Sequence, residues 1–369
     1  MRVGVDATPL LGQRSGVGRY LSGLLSGLHE IDSGVEPVLT LFSIRGQVPA
    51  PWPPGTTPAP RRAPARLLNR MWARVPFPPV ELLTGKVDVF HATNFVLPPL
   101  ARAGGVVTVH DLTYLRFPET VDDQVRAYRH LVPDALRRAA RVIAVSHTIA
   151  DELVAEYSLA SETVVVAPNG VDPEWGRSQP LSEERRRVLG LPDRYLLFVG
   201  NREPRKNLGT LIRAHALARR ADPDVPPLAL VGPAGWGDAW GGQQPDPEHT
   251  LLLGFLTDED LRSTVAGATA VCVPSLYEGF GLPVIEAMAA GVRVLASDIP
   301  THREISGGLA TLVPVQDVEA WSEVLVGLRH AEDDDGSAST ARRAHTRAFT
   351  WERSARAHLE AYRAAAAHA

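Results

Sequence analysis

The sequence predicts an α/β protein of two doubly wound domains, and three observations support this prediction. Short apolar runs bounded by turn residues alternate with helical patterns, as where RVGVD precedes VGRYLSGLLSGLHEI. A repeated strand-then-helix pattern is typical of a parallel sheet. The alternation starts again at YLLFVG, in the second half of the chain. The length of 369 residues also suits two domains, each large enough to bury a core.

The elements follow in order from these patterns. In the first half we predict the strands RVGVD, VDVFHA, VVTVHD, RVIAVS and TVVVAPNG, and the helices VGRYLSGLLSGLHEI and HTIADELVAEY. In the second half we predict the strands YLLFVG, PLALVG, TLLLGF, TAVCVP and VRVLAS, and the helices NLGTLIRAHALARR, TDEDLRSTVAGA and PVIEAMAAG. The last segment, FTWERSARAHLEAYRAA, is a helix pattern with Thr350 as its N-cap.

A stretch rich in proline, glycine and charge, PNGVDPEWGRSQPLSEERRRVLGLP, lies where the two series meet. Such composition is typical of a linker between domains. We therefore predict an acceptor-side domain over 1–178 and a nucleotide-side domain over 179–350. A C-terminal helix over 351–369 is predicted to pack back across the junction.

Composition and charge exclude several classes of protein. With 44% hydrophobic residues and a net charge of -4, the chain has the balance of a soluble globular protein and lacks the basic excess of a nucleic-acid binder. The single cysteine, Cys272, lies in the apolar run TAVCVP and is predicted to be a packed core thiol. The start MRVGVDATPL is neither a signal peptide nor a membrane anchor, so we expect a cytoplasmic protein.

The segment SLYEGFGLPVIEAMAAG is the strongest candidate for a binding site. A strand leads into Glu278, then a turn with Gly279 and Gly281, then a helix with Pro283 in its first positions. Glycines let the backbone approach a ligand, and the N–H groups at a helix start favour a phosphate. Carboxylates do not bind phosphate, so we expect Glu286 to bind a ribose diol and Glu278 to bind other hydroxyls. The alternative is two surface glutamates around an ordinary turn.

The spacing E-x7-E with GFG between the acids resembles the retaining glycosyltransferases of family 4, which have the GT-B fold. The resemblance extends along nearly the whole chain. It implies two Rossmann-like domains that face each other across a cleft. It also implies that Glu286 binds the ribose of a nucleotide sugar and that Glu278 binds hydroxyls of the donor sugar. The remaining donor-binding residues of this segment would then be Gly279, Phe280, Gly281 and Leu282.

In VGNREPRKNLGTLI, Arg202 and Lys206 match the diphosphate-binding arginine and lysine of the family. Fixed cations stabilise a departing diphosphate more strongly as the bond breaks, so the resemblance implies no metal and no cofactor. Arg205 lies in the same loop, and a decoy role for it is left open, since a loop with three cations can simply be solvated surface.

The first half supplies further candidates. In SGVGRY, Gly16 and Gly18 join an early strand to a helix, and the family's first loop approaches the donor phosphate or the acceptor at this point, with Arg19 adding charge. His110, at the carboxyl end of a predicted strand, matches the family histidine that hydrogen-bonds the transferred sugar. The resemblance thus implies four catalytic residues, namely Glu278, His110, Arg202 and Lys206.

Three positions carry weaker expectations. His91, in VFHATNF, ends a strand and is expected to line the acceptor side. The resemblance places the nucleobase near Phe255 and Leu256, in the loop that follows a strand of the second domain.

The clearest basic patch is an acid-free stretch between Glu36 and Glu81. It contains Arg45, Arg61, Arg62, Arg66, Arg70 and Arg74 together with Trp52, Trp72 and Phe77. Residues 66–74, which include Leu67, Leu68 and Met71, fit a short basic amphipathic helix that docks on anionic lipid. We expect peripheral contact with the inner face of the cell membrane through residues 61–74. The alternative is a proline-rich solvated loop.

These features predict a retaining, metal-independent glycosyltransferase that moves a hexose to a glycan, glycolipid or small-molecule acceptor. The segments SGVGRY, HATNFVLPP and TVHDLTYLRFPE are most similar to bacterial mannosyltransferases of O-antigen assembly, which makes GDP-mannose the first donor to consider. UDP- or dTDP-sugars and aminocyclitol acceptors stay open. So do a sugar epimerase or phosphorylase of the same fold, a dinucleotide-dependent oxidoreductase and a catalytically silent scaffold.

Overall fold

The computed structural model describes residues 1–11, 16–44, 52–64, 68, 71–72, 75–235, 237–238, 240–328 and 336–368. The chain divides into two compact units. The first comprises Met1–Arg116, Asp122–Gly170 and Phe349–Ala369, and the second comprises Phe117–Val121 and Val171–Ala348. Each unit has one parallel sheet, which confirms the predicted class of two doubly wound α/β domains.

The first sheet has seven strands, all paired in parallel, in the order β3-β2-β1-β4-β5-β6-β7. Its strands are β1 (Arg2–Asp6), β2 (Glu36–Thr40), β3 (Thr57–Pro58), β4 (Val89–Ala92), β5 (Gly104–Val109), β6 (Arg141–Ala144) and β7 (Val164–Val166). The helices of this part of the chain are α1 (Gly16–Glu30), α2 (Glu81–Thr84), α3 (Thr113–Arg116), α4 (Asp123–Arg126), α5 (Tyr128–Arg138) and α6 (His147–Tyr157). Helix α1 buries one apolar stripe, Tyr20, Leu21, Leu24, Leu25 and Leu28, in the core of the unit.

The second sheet has six parallel strands in the order β10-β9-β8-β11-β12-β13. Its strands are β8 (Leu196–Val199), β9 (Leu228–Val231), β10 (Thr250–Gly254), β11 (Ala270–Val273), β12 (Val294–Ser297) and β13 (Thr311–Val313). Its helices are α7 (Glu174–Arg177), α8 (Glu183–Val188), α9 (Leu208–Ala221), α10 (Asp258–Ala266), α11 (Leu282–Ala289), α12 (Pro300–Ser306), α13 (Val318–Gly327) and α14 (Ser337–Thr346).

Cys272 lies in the core of the second unit, as predicted, packed with residues such as Phe198 and Trp321. Burial raises the pKa of its thiol to about 12, so the thiol stays protonated and unreactive near neutral pH. It is a packing residue.

The C-terminal helix α15 (Trp351–Ala366) belongs to the first unit. Its N-cap is Thr350, as predicted, whose Oγ1 accepts a hydrogen bond from the N–H of Arg353 at 3.2 Å. The helix packs on α1, β5 and β6. Glycine at 23 and 170 makes room for Trp351, since a Cβ at either position would lie closer than 3.0 Å to that residue.

The division between the units falls at Gly170, ahead of the predicted boundary at 178. The reason is visible in α7, which lies in the predicted linker but packs on α11 and α10 of the second unit. Arg343 on α14 donates a hydrogen bond to the carbonyl of Gly176 at 2.7 Å. These contacts tie most of the proline- and glycine-rich stretch to the second unit.

Each sheet has one point where the chain reverses the direction in which it adds strands. In the first sheet this point lies between β1 and β4, and in the second it lies between β8 and β11. Open parallel sheets bind ligands outside the carboxyl ends of their strands at such points. We therefore expect a binding site of the second unit at the loops after β8 and β11.

Candidate functional site

Two loops meet at the switch point of the second sheet, residues 200–207 after β8 and residues 274–281 after β11. The N–H of Leu276 donates to the carbonyl of Arg205 at 2.9 Å. Asn207, held at a φ of 54°, donates from its amide nitrogen to the carbonyls of Pro274 at 3.0 Å and Val315 at 2.9 Å. The two loops are thus fixed to each other through backbone groups.

Glu278 is the centre of this arrangement and is only 7% exposed. Its carboxylate accepts hydrogen bonds from Lys206 Nζ at 2.5 Å, Arg205 Nη1 at 2.9 Å and Ser275 Oγ at 2.7 Å. Burial alone would raise the pKa of Glu278, but the charges of Lys206 and Arg205 outweigh it and hold this pKa well below its ordinary value. The carboxylate is therefore ionised and held in one orientation.

Arg205 links two buried carboxylates. Its Nη2 donates to Glu203 at 2.7 Å, and its Nη1 donates to Glu278 and also to the carbonyl of Tyr277 at 2.7 Å. Glu203 is 5% exposed, so it needs this partner. Arg205 is therefore not a free surface cation. Its guanidinium holds the loop together. The second cation beside it, Lys206, carries its ammonium group on a more flexible side chain than that of arginine.

Arg202 lies in the same loop, and no carboxylate of the described chain forms an ion pair with it. Its guanidinium carbon lies 5.5 Å from the ring centre of Trp240, which fits a cation–π contact. Its Nε donates a long hydrogen bond, 3.4 Å, to the carbonyl of Pro233. Its positive charge is therefore oriented by an aromatic ring rather than neutralised by an acid.

The glycine turn leads directly into α11. Gly281 has a φ of 90°, a left-handed conformation that favours glycine, and its carbonyl accepts the first helical hydrogen bond from the N–H of Val284 at 2.9 Å. The first N–H groups of a helix attract anions. Glu286 is buried and lies in the second turn of α11.

Helix α12 contacts the glycine turn through Thr301 and His302. Thr301 Oγ1 donates to the carbonyl of Glu278 at 2.7 Å. His302 is wholly buried, and its Nδ1–H donates to the carbonyl of Ser297 at 2.8 Å. A Cβ added at Gly281 would lie 3.3 Å from the ring of His302, so the turn and the imidazole are in close contact.

Phe255 and Leu256 follow β10 in the same unit. Phe255 is exposed, whereas Leu256 is buried. The strand ends are joined to one another, because Gly232 N–H donates to the carbonyl of Gly254 at 2.8 Å and Gly200 N–H donates to the carbonyl of Val231 at 2.9 Å. The exposed ring of Phe255 is thus at the carboxyl edge of the sheet that also carries Arg202. Its contact with a nucleobase stays a prediction.

His110 lies at the carboxyl end of β5 in the first unit. Its Nε2–H donates to the carbonyl of Thr93 at 2.8 Å, and the ring makes edge contacts with Tyr20 and Phe95 at centroid distances of 4.9 and 5.8 Å. Burial lowers its pKa, although the bond to Thr93 and the charge of Asp111 oppose this. The neutral ring has Nδ1 as its acceptor, which can take a hydrogen bond from a hydroxyl.

The expectation that His91 lines an acceptor surface is wrong. His91 is wholly buried, with Nδ1 bonded to the hydroxyl of Tyr362 at 2.8 Å and Nε2 bonded to Thr108 Oγ1 at 2.7 Å. Burial holds its pKa well below the ordinary value. Both ring nitrogens are occupied, so His91 anchors the C-terminal helix to the sheet.

The glycine segment of the first unit forms the start of α1 rather than a separate loop. Gly16 is exposed, Gly18 is buried and Arg19 is half-buried within the first turn and a half of that helix. The turn that precedes them, residues 12–15, is outside the described part of the chain. Their contact with donor or acceptor stays a prediction.

The basic stretch is described only in part. Arg45, Arg66, Leu67, Arg70 and Arg74 lie outside the described residues. Arg61 and Arg62 are exposed, but Leu68 is buried and the indole N–H of Trp72 donates to the carbonyl of Pro78 at 2.9 Å. Leu68, which the sequence analysis placed on a lipid-facing helix, therefore contacts protein. The exposed large apolar side chains among the described residues of this region are instead Ile44, Val75, Phe77 and Leu82.

Among the described residues, no cluster of histidine, cysteine and acidic side chains could hold a metal ion. No helix in that part of the chain is both long and apolar enough to span a bilayer. Neither finding identifies the reaction.

Four residues that build the site were not indicated by the sequence patterns, namely Glu203, Asn207, Ser275 and His302, and the role of Arg205 was left open. Two signals were present. The alternating charges of REPRK are a pattern that pairs within a loop, and THREI follows the predicted strand VRVLAS after three intervening residues. The partners of these residues lie on distant segments, which local patterns do not reveal.

Comparison with known proteins agrees with this description. Residues 14–175 match the family described as Glycosyltransferase Family 4, and residues 182–328 match Glycosyl transferases group 1. The chain is 30% identical to O-antigen chain mannosyltransferase B of Escherichia coli over 74% of each protein. It is 27% identical to a D-inositol 3-phosphate glycosyltransferase of Paenarthrobacter aurescens, over 97% of this chain and 95% of that one.

The fold is shared with solved structures at lower identity. Sucrose-phosphate synthase from Thermosynechococcus elongatus superimposes with a TM-score of 0.76 at 19% identity, over 100% of both chains. A match of this kind supports the fold and not a substrate. Taken with the two family matches and the relative at 30% identity, it shows that the chain belongs to the family 4 glycosyltransferases and is a hexosyltransferase of the GT-B fold.

Proposed function

We propose that this glycosyltransferase transfers mannose from GDP-mannose, with retention of configuration and without a metal ion, to a hydroxyl of a glycan or lipid-linked acceptor. The observation that carries the proposal is the site of the second unit. An ionised carboxylate, Glu278, is held by Lys206 and Arg205 at the switch point, directly before a glycine turn and a helix start. This arrangement offers acceptors for hydroxyls on one side and donors for a diphosphate on the other.

The diphosphate would bind to Arg202, Lys206 and the first N–H groups of α11. Lys206 bonds to Glu278, and an ammonium group has three N–H donors, so one can stay on Glu278 while another reaches a phosphate oxygen. Arg202 has its charge oriented but unneutralised. Two fixed cations and a helix start stabilise the charge that develops on the leaving group, which is the work a divalent metal does in other transferases.

The hydroxyls of the donor would bind to the two acids. Glu278 presents a fixed, ionised carboxylate to the sugar, and Glu286, one and a half turns into α11, is the acceptor for the ribose diol. For retention, the bond between C1 and the diphosphate oxygen breaks while the acceptor oxygen bonds to C1 on the same face. The proton of the acceptor then passes to a leaving phosphate oxygen, and His110 contributes its free acceptor nitrogen to a sugar hydroxyl.

Mannose is favoured by similarity to the mannosyltransferase of Escherichia coli. The similarity to a D-inositol 3-phosphate glycosyltransferase supports a second candidate, in which another nucleotide sugar and a small phosphorylated or aminated cyclitol acceptor are used. An epimerase or phosphorylase of the same fold would need no acceptor hydroxyl.

The test of the reaction is the anomeric configuration of the product formed from GDP-mannose, measured by NMR, in buffer with and without EDTA. The proposal predicts an α-linked product at an equal rate in both buffers. A β-linked product would contradict retention, and loss of the rate in EDTA that added Mg²⁺ restores would contradict metal independence.

We also propose peripheral contact with anionic membrane through the first unit, at Arg61, Arg62 and the exposed apolar side chains of Val75, Phe77 and Leu82. Arg61 Nη1 donates to the carbonyl of Leu82 at 3.0 Å, which places charge beside an exposed leucine. Co-sedimentation with vesicles containing anionic lipid should fall when Phe77 and Leu82 are replaced by serine. Val188→Ser, an equally exposed residue of the second unit, is the control and should leave sedimentation unchanged. Binding that ignores both changes would contradict this contact.

A further inference from the structure

His302 has an unusual hydrogen-bond arrangement for a buried histidine. Its Nδ1–H donates to the carbonyl of Ser297, so Nε2 carries the lone pair when the ring is neutral. This Nε2 is sealed from solvent and has no hydrogen-bond partner within the described ranges. A buried polar atom without a partner costs free energy, and such atoms often serve function.

The unpartnered nitrogen lies beside the candidate phosphate site. A Cβ at Gly281 would be 3.3 Å from Cδ2 and 3.6 Å from Nε2 of His302, so this edge of the ring is in contact with the turn that starts α11. The neighbouring Thr301 bonds to the carbonyl of Glu278. A change of charge at the turn therefore acts on His302 at short range.

Two charged groups of the site act on the ring. Burial lowers the pKa of His302, the negative charge of Glu278 raises it, and the positive charge of Lys206 lowers it again. The packed elements contribute Glu286 on α11 and His345 on α14, and His345 already donates to the carbonyl of Ile305. On its own helix, Arg303 is paired with Asp298 at the surface. The hydrogen bond to the carbonyl of Ser297 also raises this pKa, so the balance at His302 is set by burial, by this bond and by the charges of Glu278 and Lys206.

We propose that His302 takes up one proton from solvent when the diphosphate of a nucleotide sugar binds at this turn, so that donor binding and protonation of the imidazole are coupled. The inference rests on the proposed function, which places the diphosphate there. The bound phosphates add negative charge, and Lys206 shares its charge with them, so both changes favour the imidazolium. The protonated ring places a positive charge beside the turn at Gly281.

Coupling of this kind is reciprocal. If donor binding favours the protonated ring, then lower pH favours donor binding. Between pH 8.0 and 6.5 the affinity for the donor should rise by about three- to tenfold, because each bound proton changes affinity by at most about tenfold per pH unit. Nucleotide sugars suit this test, since their phosphates are diesters that do not titrate in this range.

The experiment is calorimetric titration of GDP-mannose, UDP-glucose and dTDP-glucose into the full chain at pH 7.5, in two buffers of different ionisation enthalpy. The difference in heat gives the protons taken up for each donor that binds. We expect a net uptake of up to one proton in the native protein, close to zero in His302→Gln, and the native value in His215→Gln. His215 is a buried histidine of the same unit that bonds to the carbonyl of Pro226, far along the chain from the turn.

The outcomes distinguish a failure of the role proposed for His302 from a failure of the proposed function. Donor binding with no proton uptake by the native protein overturns the role of His302 and leaves the proposed function intact, and this result needs no variant. Equal uptake by the native protein and His302→Gln also overturns it. If none of the three donors binds a folded sample, the diphosphate site fails and the inference fails with it.

Discussion

Glu278 shows how one residue organises the site. It is an acid at a nearly buried position, which would ordinarily disfavour its charged form, yet three donors keep it ionised. Those donors come from two loops that are far apart in sequence. Its role in hydroxyl binding depends on this orientation, since a rotating carboxylate would lose much of its value for recognition.

Lys206 is the residue whose replacement tests the diphosphate role. We expect Lys206→Ala to lower turnover on the order of 10²- to 10³-fold, the size of losing one charge contact made to a transition state. The matched control is Lys86→Ala, because Lys86 is the other lysine of the chain and is exposed in the first unit. Steady-state rates with the purified variants provide the measurement. Equal turnover for native protein and Lys206→Ala would rule out the assigned role.

Trp240 is the residue that orients Arg202. We expect Trp240→Leu to raise KM for the donor by about three- to tenfold, because a cation–π contact at a partly exposed site contributes about 0.5 to 2 kcal/mol. Trp240→Phe keeps an aromatic face and should recover most of the affinity. A KM that responds equally to leucine and phenylalanine would mean that the ring acts through packing and not through its π-face.

At the scale of single residues, the sequence predicted the type of site better than the hydrogen bonds and ion pairs within it. The charged and glycine-rich patterns around Glu278 and Lys206 were recognisable in the sequence. The pairing of Arg205 with Glu278 was not, because the loop offers three cations and only the fold decides which of them reaches a carboxylate in a distant loop. The prediction that His91 lines an acceptor surface was wrong for the same reason, because its partner Tyr362 is in the last helix.

The C-terminal helix α15 is attached to the first sheet by a continuous chain of hydrogen bonds. His358 Nδ1–H donates to the carbonyl of Ser354, so its Nε2 accepts from the hydroxyl of Tyr20 at 2.8 Å. Tyr20 in turn accepts from Thr108, which accepts from His91 Nε2–H. Tyr362 then donates to Nδ1 of His91. This order uses each donor once and requires both histidines to be neutral.

The chain of bonds makes the stability of this element depend on pH. Burial lowers the pKa of His358 to about 4, whereas an unfolded histidine titrates near 6.5. Because the folded pKa is the lower one, the contribution to stability is complete above pH 6.5 and is lost as pH falls toward 4. We expect the free energy of unfolding to fall by roughly 2 kcal/mol between pH 7.5 and 5.

Denaturant unfolding followed at several pH values measures this effect. His358→Gln keeps an acceptor for Tyr20 without a titrating ring, so it should flatten the dependence between pH 7.5 and 5. His29→Gln, at an exposed position on α1, should not change it. A native protein whose unfolding free energy rises on acidification across this window would contradict the neutral arrangement of the histidines.

Among the elements, the apolar strands were the most predictable. TAVCVP, YLLFVG and VVTVHD all became central strands because continuous apolar runs suit strands covered on both faces. The short edge strand β3, with only two residues, has no such pattern. The end of the first unit lies inside the predicted linker but before the predicted boundary at 178, since α7 looks like a linker in sequence but packs on the helices of the second unit.

At the scale of the whole molecule, the chain repeats one architecture, but the two units carry different residues at the carboxyl ends of their strands. Each unit is a parallel sheet with a single switch point, and in the second unit a fixed carboxylate, two cations and a glycine turn come together there. The first unit has His110 after β5, the strand next to β4, where the rings of Tyr20 and Phe95 contact it and the charge of Asp111 acts on it.

The central claim is that the charged switch point of the second unit binds a nucleotide sugar, whose sugar is then transferred to an acceptor. The most direct measurement is release of nucleoside diphosphate from GDP-, UDP-, ADP- and dTDP-sugars, first without acceptor and then with lipid-linked and saccharide acceptors. We predict cleavage of one donor, with GDP-mannose first, that accelerates when an acceptor is added and falls by two orders of magnitude or more in Lys206→Ala. Cleavage that ignores acceptors, or a folded protein that cleaves none of these donors, would contradict the account.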